Sequence, residues 1–131
     1  MSAVEIPLSP VAELFGEFAA SELPANNHSN VLASSLVACT GPAYLVAVTI
    51  NNTNTGAQFV QLHDSATLPA DGVAPAVVFT AAASSDKFVT YSLPGRFFQR
   101  GVVICNSSTA ATKTIGAADC FFDVQFIPIV R

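Results

Sequence analysis

Charge is scarce in this sequence. Asp, Glu, Lys and Arg make up 11% of its 131 residues, where an ordinary globular domain carries about 25%. The five cations, Lys87, Arg96, Arg100, Lys113 and Arg131, are scattered. Displacing counterions from phosphates needs cations in a cluster, so no nucleic-acid partner is expected. Tryptophan is absent, and Tyr44 and Tyr91 both fall in strand-like segments. A sugar site usually sets exposed aromatics beside polar groups, so this supply argues against one.

Chemistry-bearing residues are equally thin. Two histidines and three cysteines show no CxxC or HxxxH spacing, so no metal is expected. His63 and Asp64 are adjacent, which puts them on opposite faces of a strand and out of reach as a catalytic dyad. Asp64 and Asp71 in HDSATLPADG are too sparse for a calcium loop. Asp71-Gly72 reads as turn chemistry. No catalytic residue and no cofactor is expected, and the chain reads as a non-enzyme.

No run of 18 apolar residues occurs, so no helical membrane span is expected. The opening MSAVEIPLSP has no basic and apolar leader pattern. With no leader, Cys39, Cys105 and Cys120 are expected to be reduced and buried. A Cys105–Cys120 bridge is the alternative, since both flank one connection. The sequons at Asn27, Asn51 and Asn106 are expected to stay unused.

What is present is apolar. The hydrophobic fraction is 51%, and mean hydropathy is +0.51. A chain of this length can bury a core as one domain. With so few charges, either Ser, Thr, Asn and Gln cover the surface or other subunits cover part of it.

Residues 1–25 differ from the rest. They hold Glu5, Glu13, Glu17 and Glu22. Val11, Leu14, Phe15 and Phe18 recur at helical spacing, with Ser9 as cap and Pro10 at the first helical position. This segment is expected to be a short helix or arm whose apolar stripe docks on a partner or on its own domain.

Residues 26–131 read as β-sequence. Val31–Cys39 alternates weakly, and Tyr44–Ile50 is a β-branched run fit for a central strand. After the turn NNTNTG, Phe59–His63 reads as the return strand, with Val60 and Leu62 on one face and Phe59, Gln61 and His63 on the other. Ala76–Thr80, Phe88–Leu93, Phe97–Cys105 and Cys120–Ile127 follow. Arg100 falls on the apolar face of Phe98, Val102 and Ile104, as a rim contact or a bridge to another subunit. Seven or eight short strands at this spacing predict an all-β fold, an antiparallel β-sandwich of jelly-roll type.

The last strand is the most explicit. Phe122, Val124 and Phe126 point one way, to the core. Phe121, Asp123, Gln125 and Ile127 point the other way, a mixed set suited to a subunit interface. Pro128 cannot donate to a ladder, so this strand is expected at a sheet edge.

Two segments, FVQLHDSATLPADGVAPAVVF (Phe59–Phe79) and PGRFFQRGVVICNSSTAATKTIGAAD (Pro94–Asp119), resemble small virion proteins of tailed bacteriophages. The likeness covers about residues 42–127 and carries no catalytic motif. It implies a capsid decoration or cement-type structural protein, assembled in the host cytoplasm onto the virion. It also implies a homo-oligomer, with a trimer favoured, bound to the major capsid or another virion protein. The alternative is a receptor- or carbohydrate-binding module of a phage fibre or tail.

Overall fold

The alternation in the sequence becomes nine strands. The structure, a computed structural model, describes residues 24–129. The strands are β1 (Ala25–His28), β2 (Ser35–Thr40), β3 (Ala43–Asn52), β4 (Gln58–Asp64), β5 (Val77–Ala81), β6 (Ser85–Thr90), β7 (Arg96–Phe98), β8 (Gly101–Ser107) and β9 (Cys120–Pro128). Every regular element among the described residues is a strand. The expected N-terminal helix, with Val11, Leu14, Phe15 and Phe18, lies outside the described residues.

Pairing runs from the ends inward. β1 pairs with β9, β2 with β8, β3 with β6 and β7, and β4 with β5, all antiparallel. The chain is thus one long double-stranded ribbon with its tip at the β4–β5 connection. The ribbon rolls so that β9 also pairs with β3 and β8 with β4. Two sheets result. The first has the order β1-β9-β3-β6, with β7 also on β3, and the second has the order β2-β8-β4-β5. This is a jelly-roll sandwich, as the strand spacing predicts.

The core lies between the sheets. Leu45, Ile50 and Phe122 from the first sheet meet Leu62, Val102 and Ile104 from the second. A bulge in β3 between Leu45 and Ala47 shifts its phase against β9. Leu45 and Val48 therefore both enter the core although they are three residues apart.

Several expectations need correction. Phe97–Cys105 is not one strand. It breaks at Gln99-Arg100 into β7 and β8, which belong to different sheets. Asp64 holds the break by accepting the backbone N–H of Gln99 at 3.1 Å and of Arg100 at 2.7 Å. Arg100 is therefore exposed in a crossover between sheets rather than aligned with Phe98 and Val102. Gly101 permits the crossover, because a Cβ there would lie 2.5 Å from the Ser65 carbonyl oxygen and 2.6 Å from that of Cys39.

β4 does not return along β3; it crosses to the other sheet. β9 is not an edge, since it lies between β1 and β3. Pro128 sits at the end of its ladder opposite Ala43, where a missing donor matters little. Cys105 and Cys120 belong to opposite sheets, and all three cysteines are free thiols.

Candidate functional site

The outer faces of the two sheets differ sharply. On the second sheet, β8 is buried along its whole length, because two loops cover its outer side. Gln61 of β4 donates its amide to the carbonyls of Thr109, Ala110 and Thr112, at 2.9, 3.2 and 3.0 Å. That brings the Ser/Thr/Ala connection between β8 and β9 back over the sheet. The loop after β4 joins it through two backbone bonds, Gly72 N–H to the Lys113 carbonyl and Lys113 N–H to the Val73 carbonyl, each 2.8 Å.

Beneath this cover lies a small polar layer. His63 is 2% exposed, and one ring nitrogen lies 2.9 Å from Gln61 Oε1. Burial, reinforced by the Lys113 cation, holds the His63 pKa below its ordinary value. The Lys113 side chain is 4% exposed and pairs with Asp71. The Lys113 hydrogen bond, helped by the Ile115 backbone N–H, holds Asp71 below the usual carboxylate range. Cys105 lies in register with Gln61, and burial pushes its thiol up to about 11. This layer carries the densest ionisable chemistry among the described residues, and its hydrogen bonds fasten loops to a sheet.

A second network closes one end of the sandwich. Asp119 accepts the side-chain amides of Gln58 at 2.8 Å, Asn54 at 2.7 Å and Asn106 at 2.9 Å. Burial opposes charge on Asp119, but the Gln58 and Asn54 hydrogen bonds outweigh it and lower its pKa. Cys120 beside it is raised to about 11, chiefly by burial. The sequence gives no pattern for this site, because its members are brought together from three separate segments.

Among the described residues, nothing covers the outer face of the first sheet. Phe121, Asp123, Gln125 and Ile127 all point outward, while Phe122, Val124 and Phe126 are buried. The facing read from the alternation therefore holds. Register sets further side chains beside them. His28 and Thr49 flank Asp123, and Phe88 lies beyond Thr49. Asn51 flanks Phe121 and donates to Asp86. Ile127 adjoins Tyr44, whose ring stands 5.7 Å from that of Phe97.

The result is a polar band between aromatic ends. Phe88, Phe97 and Phe121 are 65%, 48% and 40% exposed. A shallow groove of about 380 Å³ runs past His28, Thr49, Phe121 and Asp123. Asp123 Oδ1 is shielded in it without a hydrogen-bond partner among the described residues. Exposed aromatics with an unpaired acceptor form a surface suited to a partner bringing apolar area and a donor. The positions of Tyr44, Phe88 and Phe97 in this face were missed, because cross-strand neighbours depend on pairing.

No protein-family model and no curated protein sequence matches the chain. Among solved structures, the coat protein of Tobacco streak virus is similar at 8% identity. The match covers 88% of this chain and 94% of that one, with a TM-score of 0.38. A likeness at that score is too loose to carry an inference.

Proposed function

We propose that this protein is a non-enzymatic structural component of a virus particle, a decoration or cement-type subunit of a tailed phage. The observation that carries the reading is the outer face of the first sheet, left bare by the described residues, with Phe88, Phe97 and Phe121 exposed on a jelly roll whose loops cover the middle strands of its other sheet. Jelly rolls recur in capsid proteins, but fold alone does not fix function, so the weight rests on that face. It is the assembly surface, with Phe121, Asp123, Gln125 and Ile127 at its centre. The residues before β1 act as an arm, and Val11, Leu14, Phe15 and Phe18 dock on a neighbouring subunit or on the major capsid protein. The assembly is a homo-oligomer, a trimer by the phage resemblance, located on the virion.

Mass spectrometry of purified particles tests the reading. The expected result is this chain at a fixed stoichiometry to the capsid protein. Its absence from particles overturns the proposal.

One observation favours a second reading, a carbohydrate- or receptor-binding module. The groove sets the Phe121 ring beside the His28, Asn51 and Asp123 side chains, the pairing of apolar and polar groups that a sugar needs. A glycan array separates the two. Saturable binding lost in Phe121→Ala supports the module, and no binding leaves the assembly reading.

A further inference from the structure

The sandwich has four lateral edges, and three carry features that block strand addition. β1 is four residues long, with the polar run Asn26-Asn27-His28. β6 carries Asp86 and Lys87. β2 has a bulge between Val37 and Cys39, and Asn27 Nδ2 donates to the carbonyls of Val37 and Ala38 at 3.3 and 3.1 Å. Short length, charge and bulges are the usual protections of an edge.

β5 has none of these features. Its sequence, Val77-Val78-Phe79-Thr80-Ala81, is uncharged, and it pairs with β4 in unbroken register from Ala81 to Val77. Val78 is 42% exposed. Arg96 reaches the carbonyl of Ala76 just before the strand, and Asn52 takes those of Ala81 and Ala82 at its end. The ends are thus fixed, while the outward N–H and C=O groups between them, unpaired among the described residues, form an open template.

Among the described residues, the side of the sandwich beneath this edge is also incomplete. Val77 and Phe79 of β5 face the core but are only half-buried, as are Val89 and Tyr91 beside β6. An added strand along β5 would cover part of that seam.

We propose that β5 pairs antiparallel with β5 of a second copy, across a two-fold axis, joining two four-stranded sheets into one. An uncharged strand is self-complementary, as an isologous contact requires. With the axis at the central Phe79, Val78 of each copy lies opposite Thr80 of the other. The chain's own N-terminal segment enters at β1, so it would have to cross the sandwich to reach this edge. β1 lies beside β2, on the side of the sandwich opposite β5 and β6. This contact uses a surface separate from the assembly face proposed above. It stands or falls independently of the virion reading, because it is measured on the isolated full chain.

The test compares wild type with V78K/T80K by sedimentation velocity. Both substitutions lie on the outer side of β5, and at the two-fold they place lysines opposite one another, which opposes pairing. The expected result is a mass for the variant that is half that of wild type, with an unchanged melting temperature. Equal masses, or a wild type that is monomeric up to submillimolar concentration, overturn the proposal. Hydrogen exchange on wild type decides the matter should the variant fail to fold. Amides of 77–81 that do not pair with β4 should exchange more slowly as concentration rises. Exchange that is independent of concentration, whether fast or already slowed by the chain's own N-terminal residues, overturns it.

Discussion

His63 shows how one side chain ties the loops to pH. Burial and the Lys113 cation both disfavour imidazolium, so the folded pKa lies below the unfolded value of about 6.5. Below that pH the unfolded chain binds more protons than the folded one, and stability falls as the solution is acidified. The melting temperature should therefore drop from pH 7.5 to pH 5.5, and His63→Gln should remove much of that drop. An equal drop in wild type and variant would show that other groups govern the acid limb. Asp119 acts at lower pH. Its pKa is depressed, so its stabilisation is present above the unfolded value of about 3.9 and is lost as pH falls through the folded one. Asp119→Ala leaves the amides of Gln58, Asn54 and Asn106 without this acceptor. The expected cost is about 1–3 kcal/mol, read by urea unfolding at neutral pH.

At the scale of elements, the covered sheet turns on the Lys113–Asp71 pair. Removing either partner has different consequences, because Lys113 is buried and Asp71 is half-exposed. Asp71→Asn leaves a buried ammonium without its anion and should lower the urea midpoint. Lys113→Met keeps the volume and removes the buried charge, while Asp71 is free to hydrate. It should be close to neutral or stabilising. Urea midpoints of the two variants give the comparison, and equal losses would contradict it. The sequence makes such elements legible only in part. Period-two alternation tells which side chains share a face, so Phe122, Val124 and Phe126 are assigned to the core correctly. It says nothing about which strand lies alongside, so β9 reads as an edge although two strands flank it. The break between β7 and β8 is hidden for a related reason. Phe97–Cys105 is apolar throughout, and what interrupts it is Asp64, capping amides 35 and 36 residues away. Gln61 and His63 likewise read as a polar outer face. They are buried because a loop some 50 residues later folds over them.

At the scale of the whole molecule, the low charge content has a structural outlet. Chains with few charges must cover apolar area by some other means, and here loops cover the middle strands of one sheet while the described residues leave the outer face of the other bare. The jelly roll itself was legible, since strand number and spacing limit the arrangements open to a chain of this length. The outward face of the first sheet was legible only along β9, because Tyr44, Phe88 and Phe97 join it through register. Stability and assembly should therefore separate by mutation. Phe88 and Phe121 contribute little to the core, being 65% and 40% exposed. The double change F88S/F121S should leave the urea midpoint within about 0.5 kcal/mol of wild type, as surface substitutions usually do. If the bare face is the contact, each Phe contributes up to about 1.5–3 kcal/mol by leaving water on docking. Losing both would weaken association by more than tenfold, since about 1.4 kcal/mol is a factor of ten. Light scattering on the isolated chain and incorporation into particles read that loss directly. A variant that assembles like wild type would remove the face from the contact and leave the burden on Val11, Leu14, Phe15 and Phe18. F15A/F18A should then abolish incorporation without lowering the melting temperature of the sandwich.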